Sequence, residues 1–149
     1  EKIKEVKALG YKIGLHTGGY RPEHLKKILP LLNWVGFDIK APFDEDKYQK
    51  AVGGANHLAK VRESLQLLLE SGINFECRTT CDPRILSVED IYAIAGELKK
   101  RGVKSYHLQK YRPVPSDTVT QDWQCEQFFN NPELTAYLQQ SFEDFDLRK

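Results

Sequence analysis

The stretch NWVGFDIKAP, residues 33–42, combines an apolar run with two opposite charges, Asp38 and Lys40. Short apolar runs of this length are typical of strands that are buried in a parallel sheet. In an extended chain alternate side chains share a face, so Asp38 and Lys40 point to one side and Ile39 to the other. We therefore predict a buried strand over residues 34–39 that ends in two charges facing the same way.

On both sides of this stretch, predicted strands alternate with predicted helices. Gly72 and Gly102 each end a helix two residues before the next strand, and Ser87 with Asp90 resembles a capping box. Such alternation predicts βαβ units, that is, an α/β fold with a parallel sheet. The predicted strands cover residues 11–15, 34–39, 74–79 and 104–110, and the predicted helices cover residues 2–9, 22–32, 59–71 and 88–101.

The character of the chain changes from Pro113 onward. This part contains turn formers and no strand signal, and it ends in a helix that Asn131 caps, with Pro132 in the first turn. We therefore predict two parts, a sheet-forming part over residues 1–115 and a helical C-terminal extension over residues 116–149. Four predicted strands are too few to close an eight-stranded barrel.

Length and charge exclude several classes of function. With 149 residues and 40% hydrophobic content, the chain has the size and core of one globular domain. Lys and Arg total 22 against 21 Asp and Glu, so no basic surplus favours nucleic acid or a membrane surface as a partner. No apolar run approaches the roughly 20 residues that span a bilayer, and the charged start is unlike a signal peptide. These features predict a cytoplasmic protein.

The chain has three cysteines, Cys77, Cys81 and Cys125, which without a secretory signal indicate reduced thiols. If the strand runs straight, Cys77 and Cys81 lie roughly 13 Å apart, too far for one metal centre, so we predict no metal site. The chain contains no methionine and begins inside a helix pattern without a capping residue. We therefore expect it to be part of a longer protein.

Polar residues follow each predicted strand, at the edge where parallel α/β proteins place their sites. A structural ion pair is one interpretation of Asp38 and Lys40, and Arg78 could neutralise either Glu76 or Asp38. The other interpretation is a pocket for a zwitterionic ligand, with its ammonium on Asp38 and its carboxylate on Lys40 or Arg78. A small α/β module that binds an amino-acid-like ligand without catalysis would meet this description. The polar strand ends are His16, Thr17, Asp38, Lys40, Arg78, Thr79, Thr80, Gln109, Lys110, Tyr111 and Arg112.

Four segments together resemble the later part of the radical S-adenosylmethionine activating enzymes. The nearest type is the activating enzyme of anaerobic ribonucleoside-triphosphate reductase, with the pyruvate formate-lyase activating enzymes a close second. The resemblance covers about residues 1–115 and is specific only in the combination of FDIKAP, RTT and LQKYRP. The segments are GYKIGLHTGGY (10–20), NWVGFDIKAPFDEDKYQKAVGG (33–54), LLLESGINFECRTT (67–80) and YHLQKYRPV (106–114).

The resemblance implies a partial (βα)6 barrel, similar to a TIM barrel, of which this chain would supply about four βα units. In that family a C-x-x-x-C-x-x-C motif binds a [4Fe-4S] cluster and a Gly-Gly-Glu-Pro motif binds the methionyl amino group. Neither motif occurs here, so both would lie upstream of Glu1, and Cys77 and Cys81 are not the cluster ligands. The resemblance therefore implies that this chain alone is inactive.

The resemblance also implies roles for individual residues. Asp38 and Lys40 match the Asp-x-Lys that contacts S-adenosylmethionine, and Thr17 matches the threonine of a strand-end turn. Arg78 matches an arginine near the cofactor and the substrate peptide, and Arg112 lies where the family contacts the adenosine. No catalytic and no metal-binding residue is implied. The implied cofactor-binding residues are Thr17, Asp38, Lys40, Arg78 and Arg112.

The implied activity is that of an oxidoreductase. In the intact enzyme, the reduced cluster would donate an electron to S-adenosylmethionine and cleave it to methionine and a 5′-deoxyadenosyl radical. That radical would abstract a glycyl hydrogen from a partner glycyl-radical enzyme. The partner would thus be a protein, either anaerobic ribonucleotide reductase or pyruvate formate-lyase. Without the preceding strands an uncovered sheet edge should remain, so we expect self-association.

The aromatic residues of the C-terminal extension allow two interpretations. They could form a surface on which a partner docks, or they could pack against the sheet-forming part as core. The residues are Trp123, Phe128, Phe129, Tyr137 and Phe142.

Overall fold

The computed structural model describes residues 2–55 and 57–149 and contains one five-stranded sheet in these residues. The strands lie in the order β1-β2-β3-β4-β5, and every neighbouring pair is parallel. This confirms the predicted α/β fold with a parallel sheet, whereas the barrel stays a prediction. The strands are β1 (Gly14–Thr17), β2 (Trp34–Asp38), β3 (Asn74–Cys81), β4 (Ser105–Lys110) and β5 (Asp144–Arg148).

The helices connect these strands, and local sequence signals set most of their ends. Ser87 and Asp90 form the predicted capping box of α5, and Asn131 caps α7 by accepting from the Leu134 N–H at 3.0 Å. The sequence did not predict α3, in which only Tyr48 is buried, because its other positions are mostly polar. The helices are α1 (Lys2–Ala8), α2 (Pro22–Ile28, followed by a 3₁₀ turn at Leu29–Leu31), α3 (Glu45–Val52), α4 (Leu58–Ser71), α5 (Val88–Lys100), α6 (Asp122–Glu126) and α7 (Pro132–Ser141).

The structure corrects two predictions about strands. The C-terminal extension is not helical throughout, because Asp144–Arg148 forms β5 beside β4. Only Phe145 and Leu147 are apolar in this DFDLR segment, so the strand is recognisable only once β4 is beside it. The first strand covers Gly14–Thr17 rather than residues 11–15, and the Asn33 Oδ1 accepts the N–H of Ile13 at 2.8 Å just before it.

The two faces of the sheet differ in chemistry. Side chains such as Val35, Phe37 and Leu108 are fully buried in a core that also contains helix residues. We call the opposite face the polar face. Its rows follow from the strand register and alternate with the core residues along each strand. The rows are His16, Gly36, Glu76, Ser105 and Asp144, then Asp38, Arg78, His107 and Asp146, and then Thr80, Gln109 and Arg148.

None of the helices in residues 2–55 and 57–149 has the length and apolar character needed to cross a membrane.

The outer strands β1 and β5 each pair with only one neighbour in the described sheet, which leaves two edges open. An unpaired strand edge is a template for another chain, so we expect the chain to self-associate. In analytical ultracentrifugation, the mean sedimentation coefficient should therefore increase with protein concentration. A monomer at every concentration would contradict this prediction.

Candidate functional site

Asp38, Lys40 and Arg78 meet at the carboxyl ends of β2 and β3. The Arg78 guanidinium donates from Nε and Nη2 to Asp38 Oδ1 at 2.9 and 2.7 Å, and Lys40 Nζ donates to Oδ2 at 2.9 Å. The Arg78 side chain is only 12% exposed, against 37% for Lys40. The register that aligns Asp38 with Arg78 thus brings together three of the predicted site residues, which we call the charged trio.

The charged trio has an excess of positive charge. Burial opposes ionisation of Asp38, but the hydrogen bonds and charges of Lys40 and Arg78 outweigh burial, so the pKa of Asp38 lies below its ordinary value. A single carboxylate therefore faces two cations, both of which retain N–H donors that Asp38 does not use. This arrangement suits an incoming carboxylate better than an ammonium group.

Buried hydrogen bonds hold the backbone beneath the charged trio. The N–H of Lys40 donates to the hydroxyl of Tyr48 at 3.3 Å, and the Thr79 hydroxyl donates to the Ile39 carbonyl at 3.0 Å. The Tyr106 hydroxyl in turn donates to Thr79 Oγ1 at 2.9 Å. Both tyrosines are fully buried, and burial raises the pKa of each well above its ordinary value. The segment that carries Asp38 and Lys40 is thus fixed from β3, β4 and α3.

Comparison with known proteins identifies a relative in sequence and solved structures with a similar fold. No family model matches the chain. It is 29% identical over 119 residues to a candidate glycyl-radical enzyme activating enzyme of Methanocaldococcus jannaschii, covering 76% of this chain and 48% of that protein. A domain of a pyruvate-formate lyase-activating enzyme from Bacteroides vulgatus has a similar fold, with a TM-score of 0.68 and 16% identity over 99% of this chain and 88% of that one.

By sequence, the chain is a relative of the candidate glycyl-radical enzyme activating enzyme of Methanocaldococcus jannaschii. It also shares its fold with anSMEcpe, solved with bound AdoMet, at a TM-score of 0.61 and 11% identity over 90% of this chain and 40% of that one. The chain spans about half the length of the activating enzyme that it matches. A further match, the glutamate–tRNA ligase of Chromobacterium violaceum, is 29% identical over 98 residues but is covered over only 18% of its length.

The structure does not bring the other two predicted cofactor-binding residues, Thr17 and Arg112, to the charged trio. Thr17 is aligned with Phe37, on the core side of the sheet, where its Oγ1 accepts the N–H of Gly19 at 3.1 Å. Arg112 follows β4, and its Nη2 donates to the main-chain oxygen of Lys149 at 3.3 Å. The cofactor roles of Thr17 and Arg112 therefore stay predictions without a contact to the charged trio.

The cysteines do not fit an iron–sulfur cluster, which requires accessible thiolates. Cys77, Cys81 and Cys125 are each 0% exposed, and burial raises the pKa of all three thiols. In the part of the chain that the structure describes, no group of three His, Cys, Asp or Glu side chains could hold a metal ion. Cys77 is a core residue, as predicted.

The sequence analysis missed a second ionic group on the polar face. Arg148 of β5 donates from Nη1 and Nη2 to the two carboxylate oxygens of Glu76, at 2.5 and 2.9 Å. His107, only 2% exposed, places Nε2 3.4 Å from Glu76 Oε2 and 3.3 Å from Asp144 Oδ2. Arg78 thus pairs with Asp38, whereas Glu76 pairs with Arg148. The alternation of Glu76 and Arg78 along β3 could have indicated this face, but not the partner on β5.

The aromatic residues of the C-terminal extension are mostly packed into the structure. Phe128, Phe129 and Phe142 are 0%, 6% and 5% exposed, and the Tyr137 ring lies 5.0 Å from that of Tyr92. Trp123 alone of the five is largely exposed, at 71%. Core packing therefore accounts for all of them except Trp123.

Proposed function

We propose that this chain is part of a radical S-adenosylmethionine activating enzyme. In that enzyme it would form the side of the cofactor site that binds the carboxylate of the cofactor. The observation that carries the proposal is the charged trio, which lies at the carboxyl ends of β2 and β3 in a relative of the activating enzymes. Lys40 and Arg78 would bind the methionyl carboxylate, and Asp38 would hold the two cations in position. The cofactor, when bound, would supply the radical chemistry that activates the partner enzyme.

We further propose that the protein substrate is a glycyl-radical enzyme, either anaerobic ribonucleotide reductase or pyruvate formate-lyase. The support is the likeness to the candidate activating enzyme of Methanocaldococcus jannaschii. Because the described residues offer no ligand set for a cluster, this chain by itself should bind the cofactor without cleaving it. Reconstitution with iron and sulfide tests this point. Formation of a four-iron cluster together with production of 5′-deoxyadenosine would contradict it.

Binding of the cofactor is tested by titrating the chain with S-adenosylmethionine in a calorimeter. Arg78→Met should weaken binding at least about tenfold, since a hydrogen bond to a charged group contributes about 1.5–3 kcal/mol. Arg62→Met is the matched control, because Arg62 is an exposed arginine of α4 that donates to the Phe43 carbonyl at 2.8 Å. Absence of binding, or equal losses in both variants, would contradict the proposal.

A second candidate function is a binding module for amino-acid-like ligands without catalysis. The charged trio favours this alternative in one respect, because it offers charges to the amino-acid end of a ligand and nothing specific to a nucleoside. Titration with methionine, and separately with glycine, distinguishes the two functions. Affinities equal to that for S-adenosylmethionine would favour the binding module, whereas much weaker binding of both amino acids would favour the cofactor.

A further inference from the structure

A small cavity lies at the carboxyl ends of β3, β4 and β5, beside the charged trio. Its volume is about 270 Å³, just below the roughly 300–1,000 Å³ of small-molecule pockets. Thr80 lies two residues after Arg78 on the same face of β3, so the cavity continues the polar face outward from the charged trio. The lining residues are Thr80, Gln109, Lys110, Arg112, Arg148 and Lys149.

The lining is cationic, and part of its hydrogen-bonding capacity is unused. Lys110 Nζ lies 2.7 Å from Asp122 Oδ1, and Arg148 pairs with Glu76, so these two cations are compensated. Within the described ranges, Arg112 forms no ion pair with an acidic side chain, and its Nη2 donates to the main-chain oxygen of Lys149, the last residue of the chain, at 3.3 Å.

The hydrogen-bonding groups of the neutral lining residues are also unpaired within the described part of the protein. In the same described residues, neither the exposed hydroxyl of Thr80 nor the half-buried side-chain amide of Gln109 has a hydrogen-bond partner within the protein. Together with the Arg112 guanidinium, they give the cavity three groups with free N–H or O–H donors.

We infer that this cavity binds an oxyanion, with Arg112 as its anchor. A guanidinium donates two parallel hydrogen bonds to a phosphate or carboxylate, and the Thr80 hydroxyl and Gln109 amide add neutral donors. The lining contains no aromatic and no large aliphatic side chain on which an adenine ring could stack. The lining therefore matches an oxyanion better than the adenosine that the resemblance implied for Arg112.

Two sources could provide the oxyanion, and both use the same chemistry. One is a phosphate-bearing small molecule, and the other is an acidic side chain of a protein substrate that approaches the carboxyl ends of the strands. This inference does not depend on the binding of S-adenosylmethionine, because the charged trio and the cavity share no residue.

The experiment is an NMR or calorimetric titration of the full chain in about 0.15 M salt, with inorganic pyrophosphate in one arm and a tetraglutamate peptide in the other. Arg112→Gln should weaken binding at least tenfold, and Arg62→Gln should leave it unchanged. The two residues are matched because each is an exposed arginine that donates to one main-chain oxygen. Thr80→Val is a second variant at an exposed position, and we expect it to weaken binding about threefold.

Each outcome of these titrations either supports the inference or overturns it. Arg112-dependent binding of pyrophosphate supports a phosphate ligand, and Arg112-dependent binding of the peptide supports a protein carboxylate. If neither probe binds, or if binding survives both Arg112→Gln and Thr80→Val, the inference is overturned. Titration of the Arg78→Met variant with pyrophosphate keeps the two proposals apart, because Arg78 does not line the cavity and its removal should leave the affinity for pyrophosphate unchanged.

Discussion

Replacing Gly19 with alanine should lower the free energy of unfolding by roughly 2–5 kcal/mol. Gly19 has a φ of +74°, a conformation that costs an L-residue about 1–2 kcal/mol. A Cβ atom there would also lie 2.6 Å from two ring carbons of Phe37 and 2.9 Å from the Cβ of Ser64. Phe37 is fully buried and cannot move away, and such overpacking costs about 1–3 kcal/mol. Urea denaturation followed by circular dichroism measures the change.

Gly36→Ala is the matched control for this prediction. Its added Cβ would lie 2.6 Å from the ring of the exposed His16 and 2.8 Å from the ring of the half-buried Trp34, but Gly36 does not have a positive φ. The His16 side chain can rotate into solvent and no backbone strain is added, so we expect a smaller loss of stability than for Gly19→Ala. Equal losses in the two variants would show that the turn after β1 is not held by the core.

Replacing Asp38 with asparagine should lower the free energy of unfolding at pH 7 by about 1–3 kcal/mol. The amide cannot balance the charges of Lys40 and Arg78, and hydrogen bonds to charged groups contribute about 1.5–3 kcal/mol before the partial exposure of this site is considered. Asp38 has a folded-state pKa below its ordinary value, so its ion pairs stabilise the fold above about pH 4 and are lost as the pH falls through the folded-state pKa. The difference between wild type and Asp38→Asn should therefore be greatest near neutral pH and should shrink in acid.

The measurement is a series of urea denaturation curves from pH 7 to pH 3. Glu63→Gln is the control, because Glu63 is an exposed carboxylate of α4 without an ion-pair partner in the described residues. Its stability should follow that of the wild type at every pH. A loss for Asp38→Asn that stays constant down to pH 3 would argue against ion pairing as the origin of the effect.

Local signals made much of the fold predictable from the sequence. The capping box of Ser87 and Asp90 and the cap at Asn131 depend on residues within three positions of each other, and both are present in the structure. The apolar runs of β2, β3 and β4 are equally local, and they predicted three of the strands. By contrast, β5 has only two apolar residues and forms because β4 supplies its hydrogen-bond partners.

The candidate site was only partly predictable. The type and position of Asp38, Lys40 and Arg78 indicated a charged strand end, and the structure brings these three residues together. Thr17 shared their position at a strand end but points to the opposite face, which only the register reveals. Arg112 matched a family position, yet its surroundings are cationic and lack an aromatic surface.

The sequence by itself determined the strand–helix alternation, the spacing that places Asp38 and Lys40 on one face, and the buried character of Cys77. Only the tertiary structure decided that Arg78 pairs with Asp38, 40 residues away, and that Glu76 pairs with Arg148, 72 residues away. The physical reason is that side-chain direction within a strand follows from the two-residue repeat of the backbone, which is local. Which charges meet depends on strand order and register, and these are fixed by burial of the whole core rather than by any short segment.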